Sequence, residues 1–466
     1  MTATTETQAR LSARTLGFAR APSVPTYDRT ISASIAHVGL GAFVRAHLAV
    51  YADDLSRLGR SALIRATSLH SHAVADQLTP QDCLYAVAER EPGADPPPRV
   101  IGSITSASTG PAAALDALGA PSTRLVTLTI TEKGYDLTEE DLERPEHSPS
   151  ALAVVTRALA RCCDSGQMPP MIASLDNVMD NGVLLRSRVS EIAERLNPSL
   201  PRWIEEAVRF PSSVVDRMVP ATTEQDIEDV SDQLGLVDLG AVTTERHRSW
   251  VMTEEAPLLP LSEVGVDIVE DIVPFEQRKL WLLNGPHSAL AYCGILAGCT
   301  TIAEASNHPI VSVFVRRLVD DVLEVVDLPV RLQPKDFAME ALERFGNPSL
   351  GHTCAKVGAD GSRKLPQRFG SIVVARRQAG LETTSFATVA ALWVALASGL
   401  AIGGSNMAGV EDPASPRLRS AAVRHDLGQL VHLALNDGFE GDFVALVVDT
   451  LARLLQEGMG LLQVSP

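Results

Sequence analysis

The sequence predicts an α/β protein: a doubly wound parallel-sheet domain over residues 1–274, then a mostly α-helical domain over residues 275–466. Three observations carry this reading. Short apolar, β-branched runs alternate with stretches of helical period as far as about Pro274. A turn with two glycines, Gly39-Leu40-Gly41, joins the first of these runs to a helix. Past Pro274 the apolar spacing is helical and few strand candidates remain. A chain of 466 residues also exceeds one ordinary core, so two or three domains are expected.

Taken in order, Ser34 to Gly39 reads as a short buried strand and Leu48 onward as a helix. Between them, Gly39 to Val44 makes the strand, glycine turn and helix of a Rossmann-like, phosphate-cradling unit. Val44 stands where a third glycine would complete the fingerprint, and glycines also end strands for steric reasons, so the turn alone leaves both readings open. The following pieces favour the dinucleotide fold. Ala62 to Thr67 reads as a second strand, and Leu84 to Ala88 with Arg99 to Ser103 as a hairpin around the proline-rich loop Glu91–Pro98. Arg124 to Ile130 and Met171 to Leu175 suit interior strands of a parallel sheet. Helices are expected over Ala151–Cys163 and Val183–Leu196. In the second half they are expected over Ser288–Ala305, Ile310–Val326, Lys335–Phe345, Thr388–Ala401, Pro416–Asn436 and Asp442–Leu462.

Composition narrows the function. Hydrophobic residues at 45% and charged residues at 21% are those of a globular protein. A formal charge of −17 argues against nucleic acid and against anionic membranes, both of which need a basic face. The six cysteines are scattered, without a CxxC pair, so neither a structural zinc site nor a disulfide framework is expected. The first twenty residues lack an apolar signal core, and no apolar run reaches the ~18 residues of a membrane span. A cytoplasmic protein is expected.

The most informative stretch runs from Arg278 to Ser288. It carries Lys279, Asn284 and His287 around the apolar run Leu280–Leu283. An amine tethered to an apolar wall is desolvated, and desolvation moves it toward the range of a general base. At about 100° per residue, one continuous helix sets the three side chains within one arc. Pro286 is expected to interrupt that helix, with Asn284 opening a new one. Singly, the three read as a surface lysine, a cap and a core histidine; together they suggest an active site.

From about His37 to Pro413 the chain resembles the polyol-specific long-chain dehydrogenases, the family of mannitol 2-dehydrogenase, fructuronate reductase and tagaturonate reductase. The resemblance rests on ordered motifs: Gly39 to His47, Thr127 to Tyr135, Ser174 to Asn177, Phe210 to Arg217, Lys279 to Ser288, and Asp360 to Gln367. It implies a catalytic lysine at Lys279, oxygen-polarising asparagines at Asn177 and Asn284, an orienting histidine at His287 and a proton-gating glutamate at Glu276. It further implies substrate contacts at Asp216 and Lys364. Lys356 stands where the family often has arginine; lysine keeps the charge and loses the fork. Cofactor contacts are expected from Gly39, Gly41, Phe43, Arg45 and His70.

These residue types suit oxidation of a secondary alcohol. A base removes the hydroxyl proton, amide donors stabilise the developing alkoxide by ~2.7–4 kcal/mol each, and a nicotinamide takes the hydride. The scheme needs no metal. None of the five tyrosines has a lysine four residues on, which excludes the Tyr-x-x-x-Lys mechanism. NAD is the expected cofactor, because no arginine follows Arg65 before the strand end at Ser68–His72. The same segment has no ribose-binding acid, so NADP stays open. The expected reaction is polyol to ketose, of the mannitol–fructose type. The alternative is reduction of a hexuronate, fructuronate to mannonate, for which Lys356, Arg363, Lys364 and Arg368 supply cations. The resemblance favours a monomer.

Overall fold

The computed structural model describes residues 8–463 except 94, 257–258, 425, 436–437 and 440. It divides into two compact units, Met1–Val273 and Pro274–Pro466. The apolar runs of the first unit become strands, in chain order β1 (Ile35–Val38), β2 (Ile64–Ser68), β3 (Tyr85–Glu89), β4 (Arg99–Ile101), β5 (Ile104–Thr109) and β6 (Leu125–Leu128). There follow β7 (Met171–Ser174), β8 (Ser213–Asp216), β9 (Val242–Thr244), β10 (Ser249–Met252) and β11 (Asp267–Ile268).

Five strands form a parallel sheet in the order β5-β2-β1-β6-β7. Every residue of β1, β6 and β7 is buried, as parallel strands covered on both faces must be. The alternation is visible within β1. Ile35 packs with the helix Leu48–Arg57, whereas Ala36 and Val38 pack with the helices Pro111–Leu118, Ala151–Ser165 and Asn181–Leu196. The chain winds outward from β1 through β2 to β5, then returns to β6 on the other side of β1. The β1–β6 pair is therefore the switch point, where the carboxyl ends of the strands leave a crevice.

Two small sheets complete this unit. The expected hairpin forms as antiparallel β3 and β4, and it joins β9 rather than the main sheet. The other sheet has the order β11-β10-β8. Strand β5 escaped the sequence reading, because Ile104 is its one large apolar residue and its outer positions are half-exposed. The helix expected from Leu48 is present, preceded by a short helix, Ala42–Ala46, directly after the glycine turn.

The second unit is helical, with no strand among its described residues. Its core is the helix Thr384–Ser398, whose residues from Ser385 onward are all buried. That is the fate of a helix apolar on every side. The stretch read as Ser288–Ala305 is two helices, Gly285–Leu296 and Ile302–Asn307, parted at Gly298 (φ +78°) and restarted by a Thr301–Glu304 capping box. Likewise Pro416–Asn436 resolves into Ser415–Ala422 and Leu427–Leu435, Asn436 lying outside the described residues. The stretch Asp442–Leu462 becomes the helix Gly441–Glu457 and a 3-10 turn, Gly458–Leu462. The helix Gly361–Gln378 was not expected, because Pro366 inside it and Gly370 mask its period. Among the described residues no helix is long and apolar enough to cross a membrane.

Pro286 does not end its helix. The chain runs from Val273–Lys279 through a π-helical segment, Leu280–Asn284, directly into Gly285–Leu296. Asn284 has helical dihedrals and gives no side-chain cap. A widened turn, in which the Gly285 N–H reaches back five residues to the Leu280 carbonyl, accommodates the proline instead.

Gly39 is the tightest point of the first unit. Its φ is +113°, and a Cβ there would fall on the carbonyl and hydroxyl oxygens of Thr129. Gly39→Ala is expected to destabilise the protein by at least ~1–3 kcal/mol, the cost of a strained backbone, with the clash in addition. A lower midpoint in thermal or urea unfolding checks it; an unchanged midpoint contradicts it.

Candidate active site

The carboxyl rim of the parallel sheet collects one set of predicted residues. At the end of β1 the Gly41 N–H bonds the Gly39 carbonyl at 2.7 Å, closing the turn. A Cβ at Gly41 would meet nothing nearer than the Gly39 carbonyl oxygen, 3.9 Å away, so the turn opens onto free space. That is the cradle a dinucleotide pyrophosphate requires, and the residues fit the group. Val44, in the place of the third glycine, is fully buried in the core. Phe43 stacks on His47 with ring centroids 4.8 Å apart. Arg45 is buried, and its guanidinium donates to the carbonyls of Gly41 (3.2 Å) and Gly240 (2.6 Å). It braces the turn from behind, and desolvation pulls its pKa down. His70 is exposed in the bend after β2.

The groups that hold this rim carry no predicted catalytic role, and His37 among them reads from the sequence as structural or cofactor-adjacent. His37 is fully buried in β1; its Nδ1 pairs with the Thr127 hydroxyl at 2.8 Å and its Nε2 with the Gly39 carbonyl at 3.0 Å. Burial lowers its pKa to about 4, so it is neutral at pH 7. Asp176 accepts from the backbone N–H groups of Ile130 (3.1 Å) and Thr131 (2.8 Å) and from the Tyr135 hydroxyl (2.9 Å). One carboxylate thus ties the loop after β6 to the loop after β7 and presents the next residue, Asn177, exposed on the rim. Asp176 and Tyr135 both stand inside the motifs that carry the family resemblance, Ser174 to Asn177 and Thr127 to Tyr135.

Asp216 ends β8 and is buried, 3.4 Å from His247 Nε2. Its neighbour Arg217 is buried as well and donates to the carbonyls of Ala46 (2.6 Å) and Glu245 (3.0 Å) and to the Glu89 carboxylate (2.7 Å). It links the β8 sheet to the helix that follows the glycine turn.

In the second unit Glu276, Lys279, Asn284 and His287 lie along one helical rod. Glu276 and Asn284 are buried, and Lys279 and His287 half-buried. The Asn284 carbonyl accepts from Arg368 at 2.8 Å, and the same guanidinium nitrogen reaches the Ser288 hydroxyl. The His287 ring stacks on Phe345 at 4.5 Å, and its Nε2 is buried without a hydrogen-bond partner. Desolvation, then the charges of His352, Arg368, Lys364 and Arg344, hold its pKa well below the usual histidine value. A neutral ring with one buried, unsatisfied nitrogen is suited to a hydroxyl or carbonyl oxygen. Lys364 donates to the Ala359 carbonyl at 2.6 Å, and Lys356 is exposed on the short helix Cys354–Val357.

Comparison with known proteins agrees with this architecture. The mannitol dehydrogenase Rossmann domain matches residues 33–260, and the mannitol dehydrogenase C-terminal domain matches residues 271–456. The chain belongs to the mannitol dehydrogenase family of oxidoreductases. It is 32% identical to D-mannonate oxidoreductase of Escherichia coli (strain K12), covering 93% of this chain and 96% of that one. It is also 32% identical to mannitol 2-dehydrogenase of Pyrenophora tritici-repentis, covering 96% and 84% respectively. Among solved structures, Pseudomonas fluorescens mannitol 2-dehydrogenase in a ternary complex with NAD and D-mannitol superimposes with a TM-score of 0.86 at 28% identity. The match spans 97% of this chain and 98% of that one.

The buried His37 makes stability depend on pH. Its folded pKa, about 4, lies below its ordinary value of 6.5, so the unfolded chain binds the proton more readily. Stability is complete above pH 6.5 and is lost as pH falls toward 4, by roughly 3 kcal/mol from this group. Urea unfolding from pH 7 to pH 4 is expected to show that slope, and His37→Gln to flatten it from a lower starting stability. Equal slopes in the two proteins contradict the assignment.

Proposed function

We propose that the protein is an NAD-dependent oxidoreductase that interconverts a polyol and a ketose, with Lys279 as general base and no metal. The observation that carries this is the continuous helix bearing Lys279, Asn284 and His287 across a π turn, the last with an unsatisfied buried nitrogen. The structure superimposed above, a mannitol 2-dehydrogenase, holds NAD and D-mannitol. When bound, nicotinamide supplies the hydride acceptor. Gly39 and Gly41 would hold the pyrophosphate, with Phe43 beside it and Arg45 keeping the turn in shape. The exposed His70 takes the position at the end of β2 where ribose is read, and no arginine between it and Arg65 offers a 2′-phosphate partner.

The chain's own groups divide the remaining work. Lys279 takes the hydroxyl proton in oxidation and returns it in reduction. The side-chain amides of Asn284 and Asn177 donate to the oxygen as alkoxide charge develops, so they act on turnover more than on binding. Neutral His287 orients a neighbouring hydroxyl, Glu276 gates the proton's path, and Asp216, Lys356 and Lys364 bind the rest of the substrate chain. Lys279→Ala is expected to lower kcat by ~10²–10⁴-fold, with NADH binding nearly intact by fluorescence titration. Retention of more than a tenth of the wild-type kcat rules out Lys279 as the base.

A second reading, a hexuronate reductase, has one specific observation in its favour. Arg368, Lys364 and Arg344 all act electrostatically on His287, so this part of the second unit offers a sugar carboxylate several cations. The similarity to an Escherichia coli D-mannonate oxidoreductase points the same way. A panel of polyols, ketoses and hexuronates with NAD(H) and NADP(H) separates the two. The polyol reading expects fructose and mannitol to be turned over with NAD(H). A fructuronate kcat/KM a hundredfold above that of fructose, collapsing in Lys364→Ala, transfers the assignment to the second reading.

A further inference from the structure

His287 has a second histidine beside it. The ring centroid of His352 lies 6.1 Å from that of His287, and the two planes are tilted by 37°. His287 keeps a buried Nε2 without a hydrogen-bond partner. The half-buried ring of His352 makes no hydrogen bond to another described residue.

The backbone holds His352 in this place. Gly351 turns at φ +58° out of the 3-10 turn Pro348–Leu350. The His352 carbonyl then accepts from the Ile302 N–H at 2.8 Å, and the Cys354 N–H donates to the Thr300 carbonyl at 2.9 Å. Between them, Thr353 forms an antiparallel bridge with Thr301. A Cβ on Gly294 would fall 2.8 Å from the Cys354 sulfur, so the segment rests directly on the helix Gly285–Leu296, which carries His287.

Both rings are neutral at pH 7. Desolvation lowers both pKa values; a proton on His352 would further oppose one on His287, and the Lys356 ammonium opposes one on His352. A neutral imidazole has one N–H donor and one bare nitrogen that accepts, so the pair presents two of each. A carboxylate only accepts and would meet lone pairs it has no proton for, whereas a hydroxyl donates and accepts. A hydrogen bond places an oxygen roughly 4 Å from a ring centroid. Centroids 6.1 Å apart therefore suit two oxygens of one substrate.

We infer that His352 is a substrate-binding residue, which together with His287 holds two adjacent hydroxyls of the sugar chain and makes that pair a requirement for recognition. It takes no part in proton or hydride transfer. The inference rests on the placement of His287 at the substrate. It applies equally to a polyol, a ketose or a hexuronate, because each carries adjacent hydroxyls.

Steady-state kinetics of the full chain with NADH, D-fructose and the monodeoxy analogues of fructose test it. In His352→Ala the fructose KM is expected to rise about five- to tenfold, the loss of one or two neutral hydrogen bonds, with kcat and the NADH dissociation constant within twofold of wild type. His352→Gln, whose amide both donates and accepts, is expected to bring the KM back to within threefold of wild type. A cycle between side chain and hydroxyl gives the second readout. Wild type is expected to discriminate against the analogue that lacks the hydroxyl held by His352, and His352→Ala to lose that discrimination while keeping it at the other positions. A merely structural histidine would lower turnover of fructose and of every analogue alike. His352→Leu, closer in volume, carries the cycle should the alanine variant fold poorly. An unchanged fructose KM in a folded variant, or equal discrimination by wild type and variant at every position, overturns the inference. A preference for fructuronate moves the same cycle to fructuronate and its deoxy analogues, so the polyol reading falls without deciding the role of His352. Lys279→Ala run in parallel keeps the base assignment apart in the same way.

Discussion

The contact between Gly39 and Thr129 is the constraint from which the first unit is organised. Strands β1 and β6 pair in parallel across the switch point, and their carboxyl ends must part for the crevice to open. Gly39 turns away at positive φ against the Thr129 oxygens, a place where any Cβ would collide. His37 stitches the turn from within the sheet by bonding the Gly39 carbonyl and the Thr127 and Thr129 hydroxyls. Arg45 holds the other side through the Gly41 and Gly240 carbonyls. A glycine turn that would otherwise be soft is thus bonded from two directions, which is the preorganisation an anion cradle needs.

The same economy appears in the polar groups behind it. Asp176 is buried enough that desolvation raises its pKa, yet two backbone N–H groups and a tyrosine hydroxyl surround it. Removing any one of these would leave part of a carboxylate unsatisfied in a dry place, at a cost above that of the bond itself. The motifs around Thr127–Tyr135 and Ser174–Asn177 are therefore two halves of one knot, and Asn177 is the residue the knot presents.

The second unit solves a different problem: packing helices closely enough to hold a short row of polar side chains. Gly361 admits the Trp393 ring and the Tyr292 hydroxyl where a Cβ would overlap them, and Asp412 accepts from the Ser362 N–H (2.8 Å) and Trp393 Nε1 (3.1 Å). The amino end of the helix Gly361–Gln378, which carries Lys364 and Arg368, is seated on the buried helix Thr384–Ser398 by these contacts. Its cations then face a histidine kept neutral by burial.

The sequence by itself determined the α/β class, the switch from alternating strands to helices near Pro274, and the candidate residues, because each leaves a local mark. Short apolar runs mark β1, β2, β6 and β7, the Gly39-Leu40-Gly41 turn marks the crevice, and the lysine–asparagine–histidine spacing marks the site helix. Tertiary structure decided what has no local mark. Strand β5 is held by pairing with β2 rather than by its own apolarity, and the hairpin β3–β4 joins β9 through a partner some 150 residues away in sequence. Asp176, Tyr135 and His37 matter through hydrogen bonds to residues distant in the chain. Pro286 read as a helix break because its missing donor is a local fact. The backbone widens there instead of stopping, packed beside Phe369 and Arg368 of a neighbouring helix, and no period in the sequence records that contact.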